Sequence, residues 1–193
     1  MSQTTTNEFP FKGMRNRSRD SMEFHTQRLL EDPFGPKVLI QLPEWVNCDP
    51  SVHVDKFVRF PSHGMGIVKG KDGRHNIVPH TGEIKIEENV IILEHATIIR
   101  PVNYFTVIGE NTVIGVGAHI GHNVNIGSNV FITSKAILCG SVTVGSDVDI
   151  GAGAIIKNKV RIGKGAVIGI GAVVICDVPD GETWAGNPAK KIQ

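Results

Sequence analysis

A chain of 193 residues is long enough for one domain with a sizeable core and a small appendage. Twenty Lys and Arg against 19 Asp and Glu leave a formal charge of +1, which argues against a protein whose main task is to coat nucleic acid or an anionic membrane. Three cysteines, Cys48, Cys139 and Cys176, are odd in number and lack paired metal-ligand spacing, so a reducing compartment fits better than a disulfide framework. No apolar run approaches the roughly 20 residues needed to cross a bilayer, and MSQTTTNEF lacks the basic-then-apolar layout of a secretory signal. The expectation is a soluble, cytoplasmic protein.

In chain order, residues 1–49 read as an irregular N-terminal arm. Residues 1–22 are polar, with Lys12, Arg15, Arg17 and Arg19 close together, and suit a solvated or loosely docked segment. MEFHTQRLLED (22–32) has the length of a short helix ended before Pro33, and KVLIQLPEW (37–45) that of a strand or extended strap. Residues 50–60 carry Val54 and Phe60 on a six-residue grid, as a first imperfect coil of a repeat. The grid breaks over 61–81, where GMGIVKGKDGRHN (64–76) reads as a loop.

From residue 84 to 179 one period dominates. Stepping by six from Ile84 through Val90, Ala96, Val102, Ile108 and on to Val174 meets Ile, Leu or Val at fifteen of sixteen positions, Ala96 being the exception. The next residue is Gly in half of them, and four residues after each step, from Ala118 to Val178, every residue is Ala or Val. A period of six with two inward positions fits neither an amphipathic helix nor an alternating strand. It fits a solenoid, in which short strands bury one large and one smaller aliphatic side chain and the chain then turns a corner. Three hexads close an eighteen-residue triangular coil, and coils stack at about 4.8 Å, the ordinary interstrand spacing. No coil buries its core alone, so stability comes from its neighbours. The solenoid is expected over 50–179, with 180–193 as a tail.

His122 interrupts the metre in GAHIGHNVNIGSNV (117–130). It stands two residues after Ile120, in a corner, and its equivalents eighteen residues apart are Tyr104 below and Gly140, Asn158 and Cys176 above. That arithmetic sets the Gly140 backbone beside the imidazole with no side chain between. On spacing alone His122 is either a polar corner residue, as Asn158 is, or a base beside an open groove and a backbone N–H. The second arrangement suits acyl transfer, since the base removes a nucleophile's proton and the N–H stabilises the developing oxyanion.

The repeat resembles that of the hexapeptide-repeat acyltransferases, which implies an all-β chain wound as a left-handed parallel β-helix; the hand comes from the resemblance, because ordinary parallel crossovers are right-handed. From GHNVNIG to GNPAKKI the chain is similar to the sugar acetyltransferases of bacillosamine, perosamine and sialic-acid synthesis, and HNVNIG also looks like the lipid A pathway N-acyltransferases. The resemblance covers 84–193 and hardly touches the first 80 residues. It implies that His122, in the H-[DEN]-x-x-[IV]-G motif, is the catalytic base. It also implies that Gly140, ending AILCG, offers its amide to the acetyl carbonyl. Asn123 stands where several relatives carry an acid that orients the histidine, which leaves the orienting group open. The implied cosubstrate is acetyl-CoA, with backbone around Gly151, Gly169 and Ala172 lining the pantetheine groove and Lys190 beside the phosphates. No metal is expected.

The implied assembly is a homotrimer with active sites between adjacent helices. His119 faces outward in a stack of Pro101, His119, Ile137, Ile155 and Val173, an apolar stripe that suits such an interface. The implied acceptor is the amine of a nucleotide-linked amino sugar, and a sugar hydroxyl is the alternative within the same chemistry. Two further classes stay open at this point: a zinc carbonic anhydrase of the same fold, and a non-catalytic assembly subunit.

Overall fold

The computed structural model describes residues 42–62, 64 and 67–193, and the arm and helix expected before residue 42 lie outside the described residues. Every regular element among the described residues is a β-strand. Most are two residues long, because the chain must turn again after each inward aliphatic pair. They form the three faces of a left-handed parallel β-helix of about six turns.

The first face stacks Val46–Cys48, Glu83–Ile86, Phe105–Ile108, Asn125–Ile126, Thr143–Val144 and Arg161–Ile162. The second stacks His53–Val54, Ile91–Ile92, Val113–Ile114, Phe131–Ile132, Asp149–Ile150, Val167–Ile168 and Thr183–Ala185, and ends with the antiparallel strand Lys190–Lys191. The third stacks Thr97–Ile98, His119–Ile120, Ile137–Leu138, Ile155–Ile156 and Val173–Val174. The solenoid therefore starts at Val46, ahead of the residue-50 boundary, because Val46 pairs in parallel register with Ile84. It also runs into the tail, where Val167 pairs with Thr183.

In the two-residue strands from Thr97–Ile98 to Val173–Val174 the first residue is exposed or half-buried and the second is buried. Ile108, Ile114, Ile120, Ile132, Leu138, Ile150 and Ile156 are all 0% exposed, and each contributes about 1.5–3 kcal/mol through burial. The smaller inward positions Ala118, Val124, Ala136 and Ala154 are equally buried and bring the three faces close together. Corners need a left-handed backbone. In one column the residue is Asn111, Asn129, Asp147 and then Gly165, with φ between 55° and 67°; Asn and Asp are the non-glycine types that tolerate that region best.

The metre is regular only above residue 105. Ile91 lies 38 residues after its partner His53, and Val113 lies 22 after Ile91, whereas Phe131 follows Val113 by 18. The first excess is an excursion over 61–82 that carries an antiparallel hairpin, Ile67–Lys69 with His75–Ile77. The second is a four-residue excess in the coil leading to Val113, taken up in the segment around 100–104. The six-residue grid is consequently out of phase between 84 and 102. The large inward residues there are Ile86, Ile92 and Ile98, Val90 and Ala96 fill the smaller inward position, and Val102 belongs to the extra segment. Both inward positions accept aliphatics, so composition alone reads equally well in either phase.

Candidate active site

His122 lies in the corner between the third and first faces, two residues after the buried Ile120. The corner is anchored by Gly121, whose N–H donates to the Leu138 carbonyl at 2.8 Å, and by the His122 carbonyl, which accepts from the Ser141 N–H at 2.8 Å. Asn123, with φ of +57°, turns the chain toward the first face.

Gly140 stands one coil above and lies against the imidazole. A Cβ at that position would clash with His122 Nε2 and lie 2.6 Å from Cε1 and 3.0 Å from Cδ2. The Gly140 carbonyl accepts from Lys159 N–H at 3.1 Å, while its own N–H meets no hydrogen-bond acceptor among the described residues.

Asn123 settles which imidazole nitrogen carries the proton. Its Oδ1 accepts the Val102 N–H at 3.1 Å, and its Nδ2 donates to the Asn103 carbonyl. A backbone N–H only donates and a carbonyl only accepts, so the amide has one possible orientation. His122 Nδ1, 3.0 Å from Asn123 Oδ1, must then be the donor, and the lone pair of the neutral ring sits on Nε2, on the Gly140 side. The side chain that hydrogen-bonds the imidazole is thus Asn123, itself held by the extra segment around 100–104.

Sequence arithmetic missed the residues that surround this pair from below. Tyr104, eighteen residues before His122, is 78% exposed, and the ring that meets His122 is instead His80, 5.9 Å away edge to face. Val102 and Asn103 were equally invisible, because both belong to segments outside the repeat.

The residues expected to form a coenzyme groove divide. Gly151 and Gly169 share the other corner of the third face, between the second and third faces, where each N–H is taken by the coil above: Gly151 donates to Ile168 at 2.7 Å and Gly169 to Trp184 at 2.8 Å. Ala172 lines no groove: it is 0% exposed in the core, its N–H donates to Gly169 and its carbonyl accepts from Ile155. The tail stands over this second corner. Gly186 accepts the Val173 N–H, and Ala189 donates to Val173. Glu182 accepts from Trp184 Nε1 and Lys191 Nζ, both at 2.8 Å, and the lysine contact above all holds its carboxyl below the ordinary value. Lys191 is thereby occupied, and Lys190 remains an exposed cation with no ion pair among the described residues. Within one chain, His122, Asn123 and Gly140 border one edge of the third face, and Gly151, Gly169 and the tail border the other.

On the third face itself His119 stacks in register with Ile137, Ile155 and Val173. Beneath it lies Thr97 rather than Pro101, a consequence of the four extra residues. Ile137 and Ile155 are 36% and 38% exposed, and burial lowers the His119 pKa from its ordinary 6.5. No group of three or more His, Cys, Asp or Glu among the described residues could hold a metal ion. Among them, too, no helix is long and apolar enough to cross a membrane.

Residues 105–139 match the family model described as bacterial transferase hexapeptide, six repeats. Among solved structures, the chain is similar to a mutant of perosamine N-acetyltransferase from Caulobacter crescentus, in complex with CoA and GDP-perosamine. The identity is 25% and the TM-score 0.51, over 77% of this chain and 57% of that one. It thus spans little more than half the length of that enzyme. It also shares its fold with a hexapeptide transferase family protein from Anaplasma phagocytophilum (22% identity, TM-score 0.58, 77% and 78% covered) and with LpxA from Acinetobacter baumannii (19%, 0.59, 78% and 70%). No curated protein sequence matches the chain. Repeat, fold and likeness agree: residues 105–139 carry the bacterial transferase hexapeptide repeat, and the chain is wound as a left-handed parallel β-helix similar in fold to hexapeptide transferases of known structure.

Proposed function

We propose that this chain transfers an acetyl group from acetyl-CoA to the amine of a nucleotide-linked amino sugar, with His122 as general base. The observation that carries the reading is the His122 Nε2 placed against Gly140 while Nδ1 meets the Asn123 network. An amine acceptor must lose a proton as it attacks, and a departing thiolate needs one. A single neutral imidazole nitrogen at that place accepts the first and returns the second. The Gly140 N–H, without an internal acceptor, is the group available to an oxyanion. Asn123 keeps the imidazole in the competent tautomer.

Acetyl-CoA supplies the activated acetyl group. Two features of the chain suit it: Gly140 leaves the space beside the base free of a side chain, and Lys190 offers an exposed cation for phosphate. Gly140 and Lys190 border opposite edges of one face, so a groove using both is naturally made by two copies of the chain. The apolar column of Ile137, Ile155 and Val173 suits the contact between them, and the expected assembly is a homotrimer. The nucleotide-linked sugar rests on the likeness to the perosamine enzyme.

The test is a panel of amino-sugar nucleotides incubated with acetyl-CoA, reading thiol release. Release with at least one amine, giving a product stable to hydroxylamine, is expected. A hydroxylamine-labile product would mean ester formation on a hydroxyl, and no release with any acceptor would overturn the reading. Sedimentation velocity checks the trimer independently.

A further inference from the structure

The regular coil is broken twice in this chain, and both breaks converge on His122. The segment around 100–104 supplies the Val102 N–H and the Asn103 carbonyl that clamp Asn123. The excursion over 61–82 returns along the opposite side of the same segment. Thr81 N–H donates to the Val102 carbonyl at 3.1 Å and Gly82 N–H to the Pro101 carbonyl at 3.1 Å. Arg100 completes the join, its Nε donating to the Gly82 carbonyl at 2.9 Å while its guanidinium lies 4.4 Å over the Trp45 ring. The backbone of Val102 is thus held at both its polar groups, its N–H by Asn123 and its carbonyl by the residue after His80.

His80 is what this construction delivers. It is 3% exposed, although it belongs to a segment rich in exposed polar residues. Its Nδ1 lies 3.0 Å from the Val78 carbonyl and donates to it, which fixes the ring plane. Gly64 closes the far side: a Cβ there would come 2.6 Å from Ile99 Cγ2 and 3.3 Å from His80 Nε2. The His80 ring also meets the imidazole of His122, at 5.9 Å and an interplanar angle of 76°, the edge-to-face geometry aromatic pairs prefer.

We infer that His80 is a positioning residue for His122, a lateral wall that stops the imidazole from rotating away from the Asn123 and Gly140 sides. The inference rests on the reading of His122 as the base, but the geometry it describes exists without substrate. Hydrogen bonding fixes the tautomer only while the ring stays in the Asn123 plane. Gly140, lacking a side chain, limits the ring from one side, and His80 limits it from the other.

The test compares three variants in the full chain. His80→Ala removes the wall, His80→Asn keeps a donor for Val78 without a ring, and His80→Phe keeps the ring without the donor. The readouts are kcat and KM for acetyl-CoA, and imidazole nitrogen NMR of His122, which reports the tautomer with no acceptor present. Expected is an about 10- to 100-fold loss of kcat in His80→Ala and His80→Asn with KM little changed. A mixed His122 tautomer should appear in both, with near-normal kcat and a single Nδ1–H tautomer in His80→Phe. If His80→Ala does not fold, the Asn and Phe pair decides alone. A normal kcat and a single tautomer in His80→Asn, or a loss in His80→Phe equal to that in His80→Asn, would overturn the inference. Should no acetyl transfer be found in the wild type, the tautomer comparison still judges His80, so the two proposals fail separately.

Discussion

Asn123 Oδ1 lies 3.0 Å from His122 Nδ1 and also accepts the Val102 N–H at 3.1 Å, so one amide oxygen joins the imidazole to the backbone of the extra segment. The choice of an amide follows from what lies behind it. The Asn103 carbonyl faces the other end of the side chain and requires a donor, which only the amide has. Asn123→Asp therefore sets an anionic oxygen against a carbonyl and removes its donor, at a bond exposed to solvent. A lowered melting temperature, equivalent to about 1 kcal/mol, is expected together with reduced turnover. Unchanged stability in thermal melts would contradict this account of the network.

His122→Ala should lower acetyl transfer by about 10²–10⁴-fold, the usual contribution of a positioned general base. Melting should be little affected, because the half-buried ring leaves the isoleucine core intact. Full activity in that variant would remove His122 from the mechanism.

Gly140→Ala tests the same corner from above. The new methyl group would clash with Nε2, so the ring must leave its position and turnover should fall nearly as far as in His122→Ala. Gly153→Ala is the counterpart. Its φ is +67° and no atom lies within 4 Å of an added Cβ, so it should cost about 1 kcal/mol of backbone strain and leave turnover unchanged. Steady-state rates beside melting curves separate the two.

Stability should fall on acidification through His119. Burial depresses its pKa below 6.5, so under acidic conditions the unfolded chain binds a proton there that the folded chain resists. This contribution to stability is complete above pH 6.5 and declines as the pH drops below it. Replacing His119 with Gln should flatten the fall in melting temperature as the pH drops from neutral through 6.5 and below. An unaltered slope would show that other groups produce it.

Most of the fold can be read in the sequence because each strand repeats one demand, an aliphatic side chain pointing inward every six residues. Ile108 through Val174 obey it without exception. The proximity of His122 and Gly140 follows from the same arithmetic, since residues eighteen apart in a regular stack are neighbours. The rest of the site is not periodic. His80, Val102 and Asn103 come from two irregular segments whose paths are set by hydrogen bonds between them, and no spacing encodes those. Ala172 shows the opposite error: a small residue suggested close ligand approach, yet its size serves the packing of three faces around a narrow core.

The regular turns above residue 105 also act as a gauge. Between the strand His119–Ile120 and the last strand of that face, Val173–Val174, lie three interstrand steps, about 14 Å along the axis. The terminal segment is seated on Val173, so the count of turns, rather than any single side chain, sets its height above the imidazole. Deleting or duplicating one eighteen-residue turn, such as 143–160, would slide that segment by about 4.8 Å while leaving His122 and Gly140 in place. Bound molecules of different lengths could thus be matched by adding or removing whole storeys.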